Sequence, residues 1–432
     1  MLLRDPVHGL ITFESAEEAI VVRLLETAEV QRLRRIRQLG LTSLAFPGAE
    51  HTRFAHAIGS AHVMQRFIAR LRKLDRDLPF WQRLTSERAR DAIAAALLHD
   101  LGHGPLSHLF EDALASTGAG TPSHEDWTEQ IVLDPSTAVH QVLVEDDPEL
   151  PRRVAGLIRG THELPYLARM VSGTFDVDRC DYLLRDAHAT GVRYGDFDLP
   201  WLLQSFRLAT AADGDAPGLA IDGTKGLIAI ESFILARLFM FQQVYFHKAT
   251  RAAEWMIQTI LGRAVALLRD GQRVAGVPPA LAKMALGDRP SVGEYLEMDD
   301  QVLLRCIADW RHGRDAVLAD LCSRLRSRHL FKTLELFGED AQPAAREHAH
   351  ETVRAIAEQA GLDPDVYTGI DSAEDVPYAD DSALVVWFGR SAPRHPAEVS
   401  FVLDRLRGET LRRVRLMFAP ELRDTVRAAL AS

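Results

Sequence analysis

Residues 92–104 read AIAAALLHDLGHG, in which an apolar segment ends in a histidine and an aspartate. Ala92 to Leu98 are apolar on all sides, which is typical of a helix buried in a core. A buried helix does not end in His99 and Asp100 without compensation, because a buried charge must be paired or bound to a metal. An adjacent imidazole and carboxylate can both bind one divalent cation. The competing interpretation is an ordinary capped helix end with a solvated His-Asp pair.

Two other predicted helices supply further candidate ligands. His56 lies off the line of apolar residues on its helix, so core packing does not explain it. Asp178, Tyr182 and Asp186 are four residues apart and share one helix face, which is either a pocket wall or an exposed surface. Two imidazoles and two carboxylates suit a divalent ion such as Mn, Fe, Ni, Co or Zn. The predicted metal ligands are His56, His99, Asp100 and Asp178.

Cationic and titratable side chains accompany these ligands in the sequence. Phosphate chemistry needs cations because negative charge accumulates on the phosphoryl oxygens, and Arg53, Arg179, Arg237 and Lys248 are candidates. Histidines with a pKa near neutrality can deliver a proton to a leaving alkoxide. The candidates for that role are His103, His108 and His124. Each residue alone has an equally plausible structural role, and it is their joint presence that favours an enzyme.

Composition limits the classes of protein that the chain can represent. The 432 residues exceed one ordinary domain, and 47% are hydrophobic, which is ample for a core. A net charge of −11 disfavours a stable nucleic-acid partner. Three scattered cysteines argue for a reducing cytoplasm and against a disulfide framework or a cysteine zinc site. We expect neither a membrane span nor a signal peptide, and therefore a cytoplasmic protein without a membrane partner.

Hydrophobic periodicity predicts a mainly α protein. It has a helical core with a short β-hairpin near residues 207–222, a C-terminal helical region and a small α+β appendage. The predicted domain limits are 1–255, 256–337 and 338–432. Helices are expected near 16–39, 54–73, 87–101, 105–115, 124–132, 166–189, 198–207 and 227–268.

Several local runs carry a resemblance to a known family. They include Asp5-Pro6-Val7-His8-Gly9, His51-Thr52-Arg53-Phe54-Ala55-His56, His99-Asp100-Leu101-Gly102-His103-Gly104-Pro105 and Asp176-Val177-Asp178-Arg179. In these runs and in the pattern H…HD…D, the chain resembles the HD-domain phosphohydrolases. Within them it is similar to the bacterial and animal deoxynucleoside triphosphate (dNTP) triphosphohydrolases, most strongly over about residues 4–255.

The resemblance implies an activity and a set of roles. Family members cleave dNTPs to deoxynucleoside and triphosphate, with one divalent ion per active site (Mn, Fe, Ni, Co, Zn or Mg) and, as a further option, Mg²⁺ carried by the nucleotide. The implied catalytic group is His103, His108, Glu111, His124 and Glu125. The implied substrate contacts are Gln38, Leu39, Arg53, Arg179, Tyr182, Asp186, Arg237, Phe241 and Tyr245. Of these, Gln38 and Asp186 would bind the sugar 3′-OH, while Leu39 and Tyr245 would reject ribonucleotides.

The resemblance also implies regulation. Family members are often homo-oligomers, dimers or tetramers, which are activated by nucleotides bound between subunits. The residues that resemble that regulatory site in position are Asp5, Val7, Glu26, Gln31 and Arg34. Phe241 and Glu26 differ from their counterparts in the animal enzymes, so the preferred base and the effector stay open.

Two other hypotheses remain at this stage. One is a phosphatase or phosphodiesterase of the same chemistry that acts on other nucleotides or on single-stranded nucleic acid. The other is a nucleotide-sensing scaffold with weak catalysis.

Overall fold

The computed structural model describes residues 1–119, 122–210, 217–379, 384–389 and 392–430, and the predicted mainly α fold is confirmed. The helices of the first half form the body of the protein. They are α1 (Ala19–Leu25), α2 (Ala28–Arg32), α3 (Arg53–Leu74), α4 (Ser86–Leu98), α5 (His108–Ser116), α6 (His124–Leu133), α7 (Ala138–Asp146), α8 (Leu150–Ile158), α9 (Pro165–Val171), α10 (Val177–Thr190) and α11 (Leu199–Ser205).

The second half continues with eleven further helices in the described residues. They are α12 (Leu227–Met240), α13 (Lys248–Arg269), α14 (Pro279–Leu286), α15 (Val292–Leu296), α16 (Asp300–Trp310), α17 (Ala316–Arg326), α18 (Pro343–Gln359), α19 (Pro364–Tyr367), α20 (Pro396–Val399), α21 (Phe401–Leu406) and α22 (Arg423–Leu430). A π-helical turn, Phe241–Tyr245, lies between α12 and α13.

Within the described residues, three small sheets accompany the helices. Their strands are β1 (Leu2–Asp5), β2 (Gly9–Thr12), β3 (Phe206–Thr210), β4 (Pro217–Asp222), β5 (Lys332–Leu336), β6 (Thr368–Asp375), β7 (Val385–Trp387) and β8 (Leu411–Phe418). The predicted hairpin is confirmed as the antiparallel pair β3–β4, and its tip, residues 211–216, lies outside the described residues. Strand β7 joins β4 in parallel, and β8 lies between β5 and β6.

The HD stretch lies at the centre of the larger of two hydrophobic cores. Side chains 92–98 of α4 are at most 1% exposed, and α4 packs against α3 and α8. This core also takes in Tyr378, Val386 and Leu403 from the last hundred residues. The second core contains residues of α13, α14, α16 and α17, which pack against the β5–β8–β6 sheet. The predicted domain limits stay predictions, and α13 spans the one placed at residue 255.

Three helices predicted as continuous are interrupted. The segment predicted over 16–39 forms α1, α2 and a short 3₁₀ turn. The segment over 166–189 breaks into α9 and α10 because the Asp176 carboxylate caps α10, accepting the N–H of Arg179 at 2.8 Å. The segment over 227–268 breaks at the π turn, after which His247 caps α13. At the second and third of these breaks, the predicted helix length was wrong because a side chain caps the next helix.

One described segment, Leu227–Tyr245, is apolar and long enough to cross a membrane by length and composition alone. Its mean hydropathy is 1.5, and 39% of it is buried. Ile230, Phe233 and Ile234 belong to the larger core, as expected of a core helix that meets the same criterion. The segment is therefore weak evidence for a membrane protein.

Candidate metal centre and active site

The four predicted metal ligands converge from three helices. His56 lies in the first turn of α3, His99 and Asp100 follow α4, and Asp178 lies in the first turn of α10. The Nε2 atom of His56 is 3.0 Å from Oδ1 of Asp178 and 3.3 Å from Nε2 of His99. Asp100 places one oxygen 3.5 Å from His56 and the other 3.4 Å from His99. Residues that are distant in sequence thus meet at one point.

The outer nitrogens of both imidazoles are oriented by acceptors. Nδ1 of His56 lies 2.8 Å from Oδ2 of Asp181, and Nδ1 of His99 lies 2.9 Å from the carbonyl oxygen of Ala96. A proton on each Nδ1 leaves each Nε2 lone pair free to bind a metal. Two lone pairs 3.3 Å apart cannot hydrogen-bond to each other, so the donor set fits a shared divalent cation better than an empty contact.

Asp181 is the orienting residue of this centre, a role that was not predicted from the sequence. Its carboxylate is fully buried. Besides contacting His56, it accepts two hydrogen bonds from the Arg185 guanidinium and lies 2.7 Å from Nε2 of His8. Burial alone would raise the pKa of Asp181, but the charge of Arg185 holds it well below the usual range. The carboxylate therefore stays ionised beside His56.

Protons and a cation compete for the same nitrogen. Burial lowers the pKa of His56, but the hydrogen bonds to Asp178 and Asp181 outweigh it and raise the pKa to about 10 without a metal. Burial would raise the pKa of Asp178, but its contacts with the imidazoles of His56 and His99 hold that pKa below its usual range. A cluster that binds a proton this firmly also favours a divalent cation, whose binding releases that proton.

Two glycines allow the helices to approach closely enough. A Cβ on Gly59 would lie 1.8 Å from Oδ1 of Asp181, so only glycine lets that carboxylate lie against α3. A Cβ on Gly102 would lie 2.1 Å from the carbonyl oxygen of His124 and 2.3 Å from the backbone nitrogen of Thr128. The close approach at Gly102 brings the start of α6 beside residues 99–107, which we call the HD loop.

Three predicted catalytic histidines form one cluster next to the metal ligands. The rings of His103 and His124 stack with centroids 4.0 Å apart, and His108 meets both edge-on at 4.8 Å. Nε2 of His103 is 3.3 Å from Asp100, and Nδ1 of His124 is 3.3 Å from Glu111. Ligand atoms of these three histidines and Glu111 all lie within 4.8 Å of one another, so this cluster is a second group that can hold a cation.

Glu125 is placed differently from the other predicted catalytic residues. Its carboxylate is 3.5 Å from Arg159, the residue just after α8, and within the described chain it contacts none of the three histidines. The structure brings His103, His108, Glu111 and His124 together and leaves Glu125 on the outer face of α6.

The HD loop is held in an unusual backbone conformation by the C-terminal region. Leu106 and Ser107 have positive φ values of 57° and 62°. Oδ1 of Asp300 accepts the N–H of Leu106 at 2.7 Å, and Oδ2 accepts the N–H of Arg37 at 3.0 Å. The buried Arg32 guanidinium donates to the carbonyl of His103 at 2.8 Å. These bonds compensate the strain of the loop.

The predicted phosphate-binding arginines surround the ligands, but each has a protein partner. Arg53 contacts Asp100 and donates to Oγ of Ser107 at 2.8 Å. Arg179 pairs with Asp176, and Arg237 with Asp375 at 2.7 Å. In this state, therefore, the charges of the three arginines are compensated by carboxylates, which a phosphate would have to replace or share.

The predicted sugar-binding residues form a connected wall. The Tyr245 hydroxyl donates to Oδ2 of Asp186 at 2.8 Å, while His51 contacts Oδ1 at 2.8 Å. Phe241 meets Tyr245 edge-on at 4.9 Å. Oε1 of Gln38 is buried without a hydrogen-bond partner among the described residues, as is expected of an atom awaiting a ligand. Two more predicted contacts, Leu39 and Tyr182, pack partly buried against the same core.

The predicted regulatory residues fall into two groups. Oε1 of Gln31 accepts from Arg34 at 2.8 Å, and the Arg34 guanidinium lies 3.6 Å from the centre of the Phe54 ring. Glu26 is nearby in sequence, at the end of α1. Asp5 instead pairs with Arg185 behind the metal centre, next to Val7 in the β1–β2 turn.

A strongly basic cavity was missed by the sequence interpretation. It measures about 280 Å³, and no carboxylate lines it among the described residues. Its charged lining comes from Lys248, Arg328, Lys332, Arg423 and Arg427. Arg423 and Arg427, near the end of the chain, are the only sequence indication of this cavity. Nothing in the sequence shows that they lie beside α13.

Comparisons with known proteins agree with this geometry. The HD domain family matches residues 53–186, and the HD associated region matches residues 207–274. The chain is 36% identical over 377 residues to the uncharacterised Bacillus subtilis protein YwfO, covering 87% of this chain and 80% of that one. It is 31% identical over 241 residues to the chicken (Gallus gallus) deoxynucleoside triphosphate triphosphohydrolase SAMHD1, covering 49% and 37%.

A solved structure gives the same result over nearly the whole chain. A Bacteroides thetaiotaomicron phosphohydrolase superposes with a TM-score of 0.78 at 27% identity, covering 97% of this chain and 99% of that one. Both the matched residues and the ligand geometry show that the chain belongs to the HD-domain phosphohydrolase family and resembles its dNTP triphosphohydrolases.

Proposed function

We propose that the protein is a metal-dependent dNTP triphosphohydrolase. In this reaction water attacks the α-phosphorus, the bond from that phosphorus to the 5′ oxygen breaks, and deoxynucleoside and triphosphate leave. The observation that carries the proposal is the convergence of two imidazole Nε2 atoms, 3.3 Å apart, with Asp178 and Asp100, directly beside three further histidines. Two chemically different clusters allow one to hold a cation and the other to move a proton.

The residues divide the work of hydrolysis. A divalent cation held by the four ligands would supply Lewis-acid stabilisation of charge on the phosphoryl oxygens. Arg53, Arg179 and Arg237 would bind the remaining phosphate oxygens by charge-assisted hydrogen bonds. Glu111 orients the ring of His124 through Nδ1, so we assign His124 to deliver a proton to the departing 5′ oxygen.

We assign deoxyribose selection to the wall formed by Asp186, Tyr245 and Phe241. Asp186 and the unpartnered Gln38 oxygen offer hydrogen bonds to a 3′-OH. Tyr245 is fixed by its bond to Asp186, so its ring would crowd a 2′-OH. A rigid aromatic wall discriminates by shape because the ring cannot move away without losing that bond.

We include regulation by nucleotides in the proposal. The cavity that includes Lys248, Arg328 and Lys332 offers several cations to phosphate groups and lies at the start of α13. Only Phe246 and His247 separate α13 from the π turn that ends at Tyr245. A polyphosphate bound there would therefore contact the element that positions the sugar wall. The Gln31–Arg34 pair is the other proposed contact for an effector.

We also propose a cytoplasmic homo-oligomer. Ile228 and Phe239 on α12 are 68% and 40% exposed, and Leu235, partly exposed, lies between them in sequence. These residues are spaced by seven and four positions and share one face. A second copy of the chain would cover this face. Light scattering of Leu235→Glu would then show smaller particles than the unchanged protein, and an unchanged mass would exclude this surface.

Product analysis tests the activity. Purified protein is incubated with Mn²⁺ or Mg²⁺ and each dNTP, and the products are separated by chromatography. We expect deoxynucleoside and intact triphosphate, and loss of turnover in Asp178→Ala. His140→Ala is the matched control, because His140 lies on α7, outside both histidine clusters, and its ring contacts the Val132 carbonyl. A monophosphate or diphosphate product would refute the cleavage position, and no turnover of any nucleotide would refute the activity.

A further inference from the structure

A second cleft lies behind the metal centre, and the proposed reaction does not use it. It measures about 630 Å³ and is bounded by the β1–β2 turn, α3, α10 and the loop that follows α10. That volume is within the usual range for small-molecule sites, about 300–1,000 Å³. We call it the posterior cleft.

Arg66 on α3 provides the main charge of the posterior cleft. Its side chain is half-buried, and within the described residues it has neither a hydrogen bond nor an ion pair. Arg70, one turn later on the same helix, donates to the Phe206 carbonyl at 3.0 Å. Burial lowers the pKa of Arg66, opposed only by Cys180 and Asp198. A partly desolvated cation without a partner costs free energy, which an anion would recover.

The remaining lining has both a charged rim and an apolar wall. His188 and Arg193 are exposed at the rim, and Asp196 is the one carboxylate lining the cleft in the described chain. Val192 and Leu199 are apolar residues of the same lining. This combination suits a molecule with an anionic group at one end and an organic body at the other.

The posterior cleft is separate from the proposed substrate site. The side chain of His8 lines it and is only 3% exposed, and its Nε2 contacts Asp181 at 2.7 Å. Asp181 in turn accepts from His56. A ligand in the cleft would therefore be separated from the metal by His8, Asp181 and His56, and could not be the molecule undergoing hydrolysis.

We propose that the posterior cleft binds a small phosphomonoester, with the phosphate on Arg66 and the organic part on Val192 and Leu199. Arginine suits this role because its planar guanidinium donates two parallel hydrogen bonds to phosphate. The inference rests on the cleft and not on the proposed hydrolysis.

Arginine modification followed by peptide mass spectrometry tests the proposal on the full chain. Phenylglyoxal is applied with 2′-deoxyadenosine 5′-monophosphate, inorganic phosphate or deoxyadenosine as the probe. We expect the monophosphate to slow modification of Arg66 by at least about 5-fold, phosphate to slow it less, and the nucleoside to have no effect. Arg70 and the exposed Arg152 are internal controls whose modification should not change.

Each result of this experiment either supports or overturns a stated part of the proposal. Unchanged modification of Arg66 with the monophosphate overturns the proposal, and equal protection by inorganic phosphate overturns the organic part of it. In equilibrium dialysis, Arg66→Gln should lose one equivalent of bound monophosphate, whereas Arg70→Gln should keep it. Absence of dNTP hydrolysis would leave the protection of Arg66 unaffected, so the two proposals fail independently.

Discussion

The carboxylate of Asp181 lies 2.8 Å from Nδ1 of His56. It lies behind the imidazole ring and does not reach the metal position, but this contact determines that Nε2 of His56 faces the metal. The same carboxylate is held by Arg185, which is held in turn by Asp5 of the N-terminal strand. The metal centre therefore depends on a buried chain of charges that runs from His56 to β1.

Gly59→Ala tests this dependence. The added Cβ would fall 1.8 Å from Asp181, so the carboxylate must move. We expect metal affinity to fall about 10- to 100-fold, the range found when orienting partners of metal ligands are lost. Metal competition titrations measure it.

Gly262→Ala on α13 is the matched control, because nothing lies within 4 Å of its added Cβ. It should leave metal affinity unchanged and raise the free energy of unfolding by about 0.5–1 kcal/mol. If Gly59→Ala does not fold, Asp181→Asn provides the same test. Wild-type affinity in both variants would mean that Asp181 does not orient His56.

Asp300→Ala tests how the C-terminal region holds the HD loop. The change leaves the N–H groups of Leu106 and Arg37 without their acceptor. The cost is about 1–3 kcal/mol for the buried N–H of Leu106 and less for the partly buried N–H of Arg37. We expect lower kcat and a lower melting temperature, with metal content unchanged by elemental analysis. Asp309→Ala, at the far end of α16, should alter none of these. Normal kcat in Asp300→Ala would remove Asp300 from the positioning of the loop.

Tyr245→Ala tests sugar selection. Removing the ring opens the space next to Asp186, so ribonucleotides should become competitive inhibitors or substrates, with selectivity reduced about 10-fold or more. The ratio of kcat/KM for dNTP and ribonucleotide measures the effect, and Tyr194→Ala, at an exposed tyrosine, serves as control. Unchanged selectivity would show that another residue excludes the 2′-OH.

Glu254→Gln tests a pH dependence in the contact between α13 and β6. Burial, with the charge of Asp371, raises the pKa of Glu254 to about 7 despite the opposing charge of Arg251. The pKa of a glutamate in the unfolded chain is about 4.3. The contribution of Glu254 to the free energy of unfolding is therefore greatest below about pH 4.3, and it is lost as the pH rises to about 7. Glutamine removes that loss, so the variant should be more stable at pH 8 by about 1–3 kcal/mol.

Urea unfolding at pH 5 and pH 8 measures this difference. Glu351→Gln, at an exposed position of α18, should follow the wild type at both values. Parallel pH profiles for wild type and Glu254→Gln would show that Glu254 is already ionised in the folded protein.

The sequence predicted the metal ligands because their chemistry is unusual in context. A charged pair after an apolar helix, such as His99 and Asp100, has few structural explanations. The β3–β4 hairpin was predictable from its turn residues and short apolar runs. Both signals are local and do not depend on how the helices pack.

The orienting residues were not predictable because their roles arise from distant contacts. Asp181 lies on the same helix as Asp178, and only the packing of α10 against α3 shows that it serves His56. His8 and Asp300 reach the site from sequence separations of 173 residues to Asp181 and 194 residues to Leu106. Helix interruptions at Asp176 and His247 were missed because single capping side chains outweighed the apolar periodicity.

The position of the bound cation tests the central claim most directly. Crystals grown with Zn²⁺ and measured at its absorption edge would show the cation as an anomalous scattering peak. We predict one peak per chain within coordination distance, about 2.0–2.2 Å, of Nε2 of His56, Nε2 of His99 and an oxygen of Asp178. A peak confined to the cluster of His103, His108 and His124, or none, would contradict the account.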